Sequence, residues 1–151
     1  MKTLISSLEF SHFPVMLSEV IKILSPIKGG LFVDCTFGGG GYSKALLKFP
    51  NVKVIALDRD EKVLSIASKL EKKFHSRFQF YQIKFSQIDK ILKTHVDGII
   101  FDLGISSIQL NDMQRGFSFK SKDKLDMTMG LSNISAQDAV NNLSENELKL
   151  I

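Results

Sequence analysis

The chain has 151 residues, of which 44% are hydrophobic and 24% charged, with a formal net charge of +4. That composition supplies one globular core, and no apolar stretch reaches the length that spans a bilayer. The mild positive charge permits a nucleic-acid partner without requiring one.

Cys35 is the single cysteine. It lies in the apolar run Leu31-Phe32-Val33-Asp34-Cys35, so an intramolecular disulfide is excluded and a small buried residue is expected. The expected compartment is reducing, the cytoplasm. Ser6, Ser7, Glu9, His12 and Pro14 interrupt the amino-terminal apolar residues too early for a signal-peptide core. His12, His75 and His95 share no cluster at metal-ligand spacing, so no metal site is expected.

In chain order, Leu17, Val20, Ile21 and Leu24 recur at helical spacing after Pro14, and Ser25-Pro26 closes that helix. A strand is expected over 31–35, a glycine loop over 38–41, a helix from Tyr42, and a second strand from Val52 that ends at Asp58. Val63, Ala67, Leu70 and Phe74 mark the next helix, and Phe78 to Ile83 form a third strand rich in β-formers. A short helix from Ser86 leads to a fourth strand over 96–103. Its consecutive apolar residues, Ile99, Ile100 and Phe101, predict cover on both faces. Alternation of strands and helices indicates a doubly wound parallel α/β sheet. Residues 104–134 read as a long loop, and capping boxes at Ser135-Ala136-Gln137-Asp138 and Ser144-Glu145-Asn146-Glu147 start two further helices.

Gly38-Gly39-Gly40-Gly41 sits between a strand and a helix, where backbone amides can approach an anionic ligand. The same glycines would also serve a tight turn with no ligand. Asp58 ends the second strand eighteen residues after Gly40, a place from which an acid accepts from both ribose hydroxyls of a nucleoside cofactor. Its other reading is an N-cap on the next helix, a role that Asp60 could fill equally.

Asp34-Cys35-Thr36-Phe37-Gly38-Gly39-Gly40 resembles the Asp-x-Gly-x-Gly-x-Gly loop of class I S-adenosylmethionine-dependent methyltransferases, with Thr36 at the first glycine. The amphipathic helix ahead of the first strand favours this cofactor over NAD, which stays as the alternative. The runs Asp102-Leu103-Gly104-Ile105-Ser106-Ser107-Ile108-Gln109, Arg115-Gly116-Phe117-Ser118-Phe119 and Leu125-Asp126-Met127 closely resemble the bacterial small-subunit ribosomal RNA cytosine-N4 methyltransferase family. His12-Phe13-Pro14-Val15, Val33 to Thr36 and Ala56-Leu57-Asp58-Arg59-Asp60 agree with it.

The resemblance implies a class I, Rossmann-like methyltransferase sheet that is incomplete. Residues 1–118 would give its first four strands, and 119–151 the truncated start of an inserted helical domain. A fourth strand left as a bare edge invites association. The family likeness further implies S-adenosyl-L-methionine as cofactor and small-subunit ribosomal RNA, or the ribosomal subunit, as partner. The implied cofactor contacts are Gly40, Gly41, Tyr42, Asp58, Phe85, Asp102 and Gln109.

Several of these have plainer readings, Phe85 as a core aromatic and Gln109 as a solvated loop residue. The family's usual Gly-Arg-Gly-Gly-His-Ser is here Gly38 to Ser43 with Gly39 and Tyr42 replacing the arginine and histidine. Ile108 replaces a proline, and Thr128 an arginine. No catalytic residue is assigned; a noncatalytic RNA-binding relative is the third reading. Arg115, Phe117, Phe119, Lys120, Lys122 and Lys124 interleave cations and aromatics in a pattern suited to RNA, or to a solvated loop tethered by two buried phenylalanines. Lys69, Lys72 and Lys73 read as a solvated helix face.

Overall fold

A computed structural model describes residues 14–150; the His12-Phe13 part of the amino-terminal motif and the residues before it lie outside them. The elements are α1 (Leu17–Leu24), β1 (Gly30–Asp34), α2 (Gly41–Leu46), β2 (Val52–Asp58), α3 (Leu64–Phe74), β3 (Phe78–Gln82) and β4 (Gly98–Ile100), then α4 (Ser107–Asn111), α5 (Ala136–Asn142) and α6 (Glu145–Leu148). Four strands form one sheet in the order β3-β2-β1-β4, and every pairing is parallel. The chain therefore winds outward from β1 to β3 and returns to β4 on the other side. Between β1 and β4 the strand order reverses, and ligands of open α/β sheets bind in the crevice above such a point.

One sheet face carries Phe32, Val54, Ala56, Phe78 and Ile100. Helices α1, α2 and α3 cover it with Leu17, Val20, Ile21, Leu24, Leu46, Ala67 and Leu70, all but Leu46 being apolar positions of the sequence periodicity. Each fully buried large side chain adds about 1.5–3 kcal/mol of transfer free energy. The opposite face carries Val33, Cys35 and Leu57 under Ile83, Ile88, Ile91, Leu92 and Val96. That cover consists of a 3₁₀ segment over Phe85–Lys90 and the chain that follows it. Cys35 is free and buried, as expected.

Two expectations change. The fourth strand was expected over 96–103 with both faces covered; β4 has three residues, and Ile100 is 6% exposed while Ile99 is 43% and Phe101 48%. The cause lies in β1, which ends at Asp34 opposite Ile100, so the chain beyond has no strand to pair with. The backbone N–H of Asp102 turns instead to Thr36 Oγ1, 2.8 Å away.

The second change concerns 104–134, expected to be irregular. It contains α4, started by a capping box in which Ser106 Oγ accepts from the Gln109 N–H and Gln109 Oε1 accepts from the Ser106 N–H. Ser106-Ser107-Ile108-Gln109 closes the same reciprocal pair of bonds, through Gln109, as Asp138 and Glu147 close in the boxes at Ser135 and Ser144, which form as predicted.

Candidate active site

A cleft of about 550 Å³ opens at the carboxyl ends of the strands, above the β1/β4 reversal. This is within the usual range for a small-molecule site. Its floor is the loop after β1, from Cys35 to Gly39. Asp58, Arg59 and Asp60 follow from the end of β2, Ile83 to Ser86 from the end of β3, and Asp102 to Ser106 with Gln109 from the end of β4. Pro14 and Val15 close one side and Met129 another.

The backbone ladder fixes the floor. Cys35 N–H donates to Ile100 O at 2.9 Å and Phe37 N–H to Leu57 O at 3.0 Å, so the loop begins bonded to both flanking strands. Asp34, fully buried, accepts from Ser43 Oγ at 2.7 Å. Burial pushes its carboxyl up to about 6, against the hydrogen bonds from Ser43 and Thr36. Thr36 has a role that pattern reading missed. Its hydroxyl accepts the Asp102 N–H and joins the glycine loop to the end of β4.

Of Asp58 and Asp60, two residues apart, Asp60 takes the capping role that the sequence left open. Asp58 Oδ2 accepts from the Gly38 N–H at 2.8 Å and Oδ1 from the Asp60 N–H at 2.9 Å. Each oxygen keeps lone-pair capacity for a further donor. Burial raises the Asp58 carboxyl above its ordinary value, opposed by those same N–H groups. Asp60, 1% exposed, is the cap of the following 3₁₀ turn, accepting from the Lys62 N–H at 3.1 Å.

Of the sequence-predicted residues, Asp58, Phe85, Asp102 and Gln109 are brought together around the cleft. Gly40, Gly41 and Tyr42 do not line it; they stand behind the floor. Gly40 has φ +73°, and a Cβ there would come within 2.8 Å of the Phe37 ring. A Cβ on Gly41 would lie 2.1 Å from the Pro14 ring. The Tyr42 hydroxyl donates to Val15 O. All three therefore act on Pro14, Val15 and Phe37, which are themselves cleft residues.

Phe85 is 43% exposed and meets Phe101 edge-on at 5.5 Å, so it is a rim aromatic and not a core one. Gln109 is 6% exposed, not solvated. Arg115 and Phe117 are buried too, with the guanidinium 5.1 Å from the Phe117 ring. Of the basic and aromatic loop, only Phe119, Lys120, Lys122 and Lys124 remain exposed. Just one of the two phenylalanines tethers it, since Phe119 lies wholly in solvent. Lys69, Lys72 and Lys73 are exposed along α3.

Among the described residues, no group of three or more His, Cys, Asp or Glu could hold a metal ion. No helix among them is long and apolar enough to cross a membrane.

The ribosomal RNA small subunit methyltransferase H of Ehrlichia ruminantium (strain Welgevonden) is 46% identical over 143 residues, covering 91% of this chain and 48% of that protein. Its counterpart from Rickettsia akari (strain Hartford) is 45% identical over 139 residues, with 91% and 45% covered. The chain thus spans about half the length of the curated relatives it matches. Two solved structures share the fold. An rRNA methylase from Streptococcus thermophilus superposes with a TM-score of 0.50 at 21% identity, over 68% of this chain and 58% of that one. The C-terminal domain of precorrin-6Y C5,15-methyltransferase from Rhodobacter capsulatus does so with a TM-score of 0.51 at 17% identity, over 62% and 50%. The sheet is that of a class I methyltransferase, and a model of the MraW methylase family matches residues 9–151: the chain belongs to that family.

Proposed function

We propose that the chain forms the cofactor half of an S-adenosyl-L-methionine-dependent methyltransferase acting on the exocyclic N4 of a cytidine in small-subunit ribosomal RNA, in the cytoplasm. The observation that carries this reading is the placement of Asp58. Its carboxylate lies at one end of the cleft with both oxygens still able to accept, where a nucleoside's ribose hydroxyls would need acceptors. The half-exposed Phe85 ring suits an adenine face. Relatives named ribosomal RNA small subunit methyltransferase H supply the substrate class.

The bound cofactor would supply an electrophilic methyl group on sulfur. What the chain does is position. Asp102 is fixed at the end of β4 through its N–H to Thr36. From there its carboxylate, or the Leu103 carbonyl, would accept the hydrogens of an incoming amine. Holding that amine matters because its lone pair is delocalised into the base and must be aligned for transfer. A base paired in RNA must leave its stack to reach the cleft. The exposed Phe119, Lys120, Lys122 and Lys124 would offer stacking and phosphate contacts on the way. Gly40, Gly41 and Tyr42 hold the pocket's shape in this reading and support the ligand indirectly.

Residues 1–118 would be the first part of the methyltransferase domain and 119–151 the opening of an inserted helical domain. Neither α5 nor α6 buries a residue, in keeping with helices that expect further partners. Calorimetric titration with S-adenosylhomocysteine against NAD tests the cofactor; preference for NAD would sink the reading. Mass spectrometry of small-subunit RNA incubated with the protein and S-adenosyl-L-methionine tests the substrate. Binding of RNA without a methylated cytidine would favour the noncatalytic alternative. Substantial residual transfer by Asp102→Ala would remove Asp102 from any essential role.

A further inference from the structure

Gln109 is held at both ends of its amide. Nε2 donates to Asp60 Oδ2 at 3.0 Å, and Oε1 accepts from the Ser106 N–H at 2.9 Å. A flipped amide would set oxygen against the carboxylate and NH₂ against the N–H, so the two contacts select one orientation. Asp60 is itself fixed. Arg115 Nη1 lies 2.8 Å from the same Oδ2, while Arg115 Nη2 donates to Thr128 O at 2.7 Å. Burial alone would raise the Asp60 carboxyl, but Gln109 and Arg115, with the Lys62 N–H, hold it below its ordinary value.

One Nε2 hydrogen of Gln109 has no partner among the described residues, and Gln109 lines the cleft. The acids around that space, Asp58 and Asp102, are acceptors. An anchored donor complements them. Desolvating a charge pair is a poor source of stability, and its best-attested use is to fix geometry.

We propose that Asp60 and Arg115 are positioning residues that lock the Gln109 amide so that its free N–H donates to an acceptor on the ligand in the cleft. The proposal rests on the cleft being the cofactor site, with Gln109 among its contacts. It assigns Asp60, at the cleft wall, and Arg115, which does not line the cleft, a role in affinity through a third side chain.

The test uses S-adenosylhomocysteine as the probe, with calorimetric affinity and melting temperature read in parallel on the 151-residue chain. Asp60→Asn removes the anion that selects the amide orientation and should weaken binding about 10- to 100-fold, the range of one to two tenfold steps at 1.4 kcal/mol each. The exchange Asp60→Asn with Gln109→Glu restores a hydrogen bond between the two positions but leaves only acceptors toward the cleft. It should recover melting temperature relative to Asp60→Asn without recovering affinity. Affinity that returns together with melting temperature, or an Asp60→Asn variant that binds like the wild type, overturns the proposal while leaving the cleft reading intact. A wild-type chain that does not bind the probe overturns the cleft reading itself.

Should neither variant fold, the wild type still decides through its ¹H–¹⁵N spectrum. One of the two Gln109 Nε2 protons should shift on titration far more than the other. Two protons that stay unmoved while backbone amides of the glycine loop shift would overturn the donor role.

Discussion

The two walls of the cleft are built by different means. On the side of the glycine loop and Asp58, backbone bonds continue the sheet, Cys35 to Ile100 and Phe37 to Leu57, so the wall is an extension of the strand ladder. The segment from α4 to Met129 has no ladder. Side chains fasten it to the end of β2, Gln109 and Arg115 to Asp60, and Arg59 Nε to Met129 O at 3.3 Å. A wall made from a ladder fails only when the sheet fails. A wall made from a few long-range side-chain contacts can detach while the sheet survives.

The largest expected effect tests that difference directly. Arg115→Ala strands Asp60 as a buried unpaired carboxylate and should cost about 3–5 kcal/mol, the range for breaking a buried pair. The loss should be local. Hydrogen exchange should rise across residues 112–129 while amides of β1 and β2 keep their protection. Uniform loss of protection would show that the two walls form one cooperative unit.

Asp58→Asn attacks the ladder-built wall at its ligand-facing point. Loss of a charged acceptor, worth about 1.5–3 kcal/mol, should weaken S-adenosylhomocysteine binding roughly 10- to 100-fold. Because burial raises the Asp58 carboxyl in the folded chain, it takes up a proton at a higher pH than an ordinary aspartate. Affinity should accordingly fall on acidification at a higher pH than an ordinary aspartate would give, and this dependence should vanish in Asp58→Asn. A pH profile unchanged by the substitution would assign it to another acid.

Asp34 offers a purely structural effect, with no part in binding. Its carboxyl is raised from 3.8 to about 6, so the folded chain binds that proton more tightly than the unfolded one. Stability from this group is complete below about pH 4 and is lost as pH rises through about 6, a change of order 3 kcal/mol. Asp34→Asn should flatten that slope, since an amide can still meet Ser43 and Thr36. Denaturation midpoints measured from pH 4 to 7 would decide it; an unchanged slope would show that the carboxyl titrates normally.

The legibility of the molecule follows the same division. Strands β1 to β3 and helices α1 and α3 carry their pattern in the apolar residues, and Asp58 announces itself by ending β2. β4 was overdrawn because an apolar run does not reveal where its neighbour stops, and β1 stops at Asp34. The second wall was hardest to read. Ser106 to Gln109 has the same capping pattern recognised at Ser135 and Ser144, but glycines and polar residues around it suggested a loop. The pairing of Arg115 with Asp60 spans so much sequence that no local spacing encodes it. Arg115 therefore looked like one more cation in a basic stretch.

Tyr42 shows how the two kinds of wall meet. The family likeness placed it against the cofactor, at a position where histidine is usual, yet its hydroxyl donates to Val15 O and its ring is buried beside α1. Together with Gly41 beneath the Pro14 ring, it fastens the segment ahead of α1 over the glycine loop. Tyr42→Phe keeps the ring and removes one hydrogen bond, so the stability cost should be about 1 kcal/mol. The same change should weaken S-adenosylhomocysteine binding only a few-fold, because Pro14 and Val15 lose an anchor while Asp58 and Phe85 keep theirs. A loss as large as that of Asp58→Asn would mean that Tyr42 turns into the cleft when the ligand binds. The position would then serve the ligand directly despite its place behind the floor.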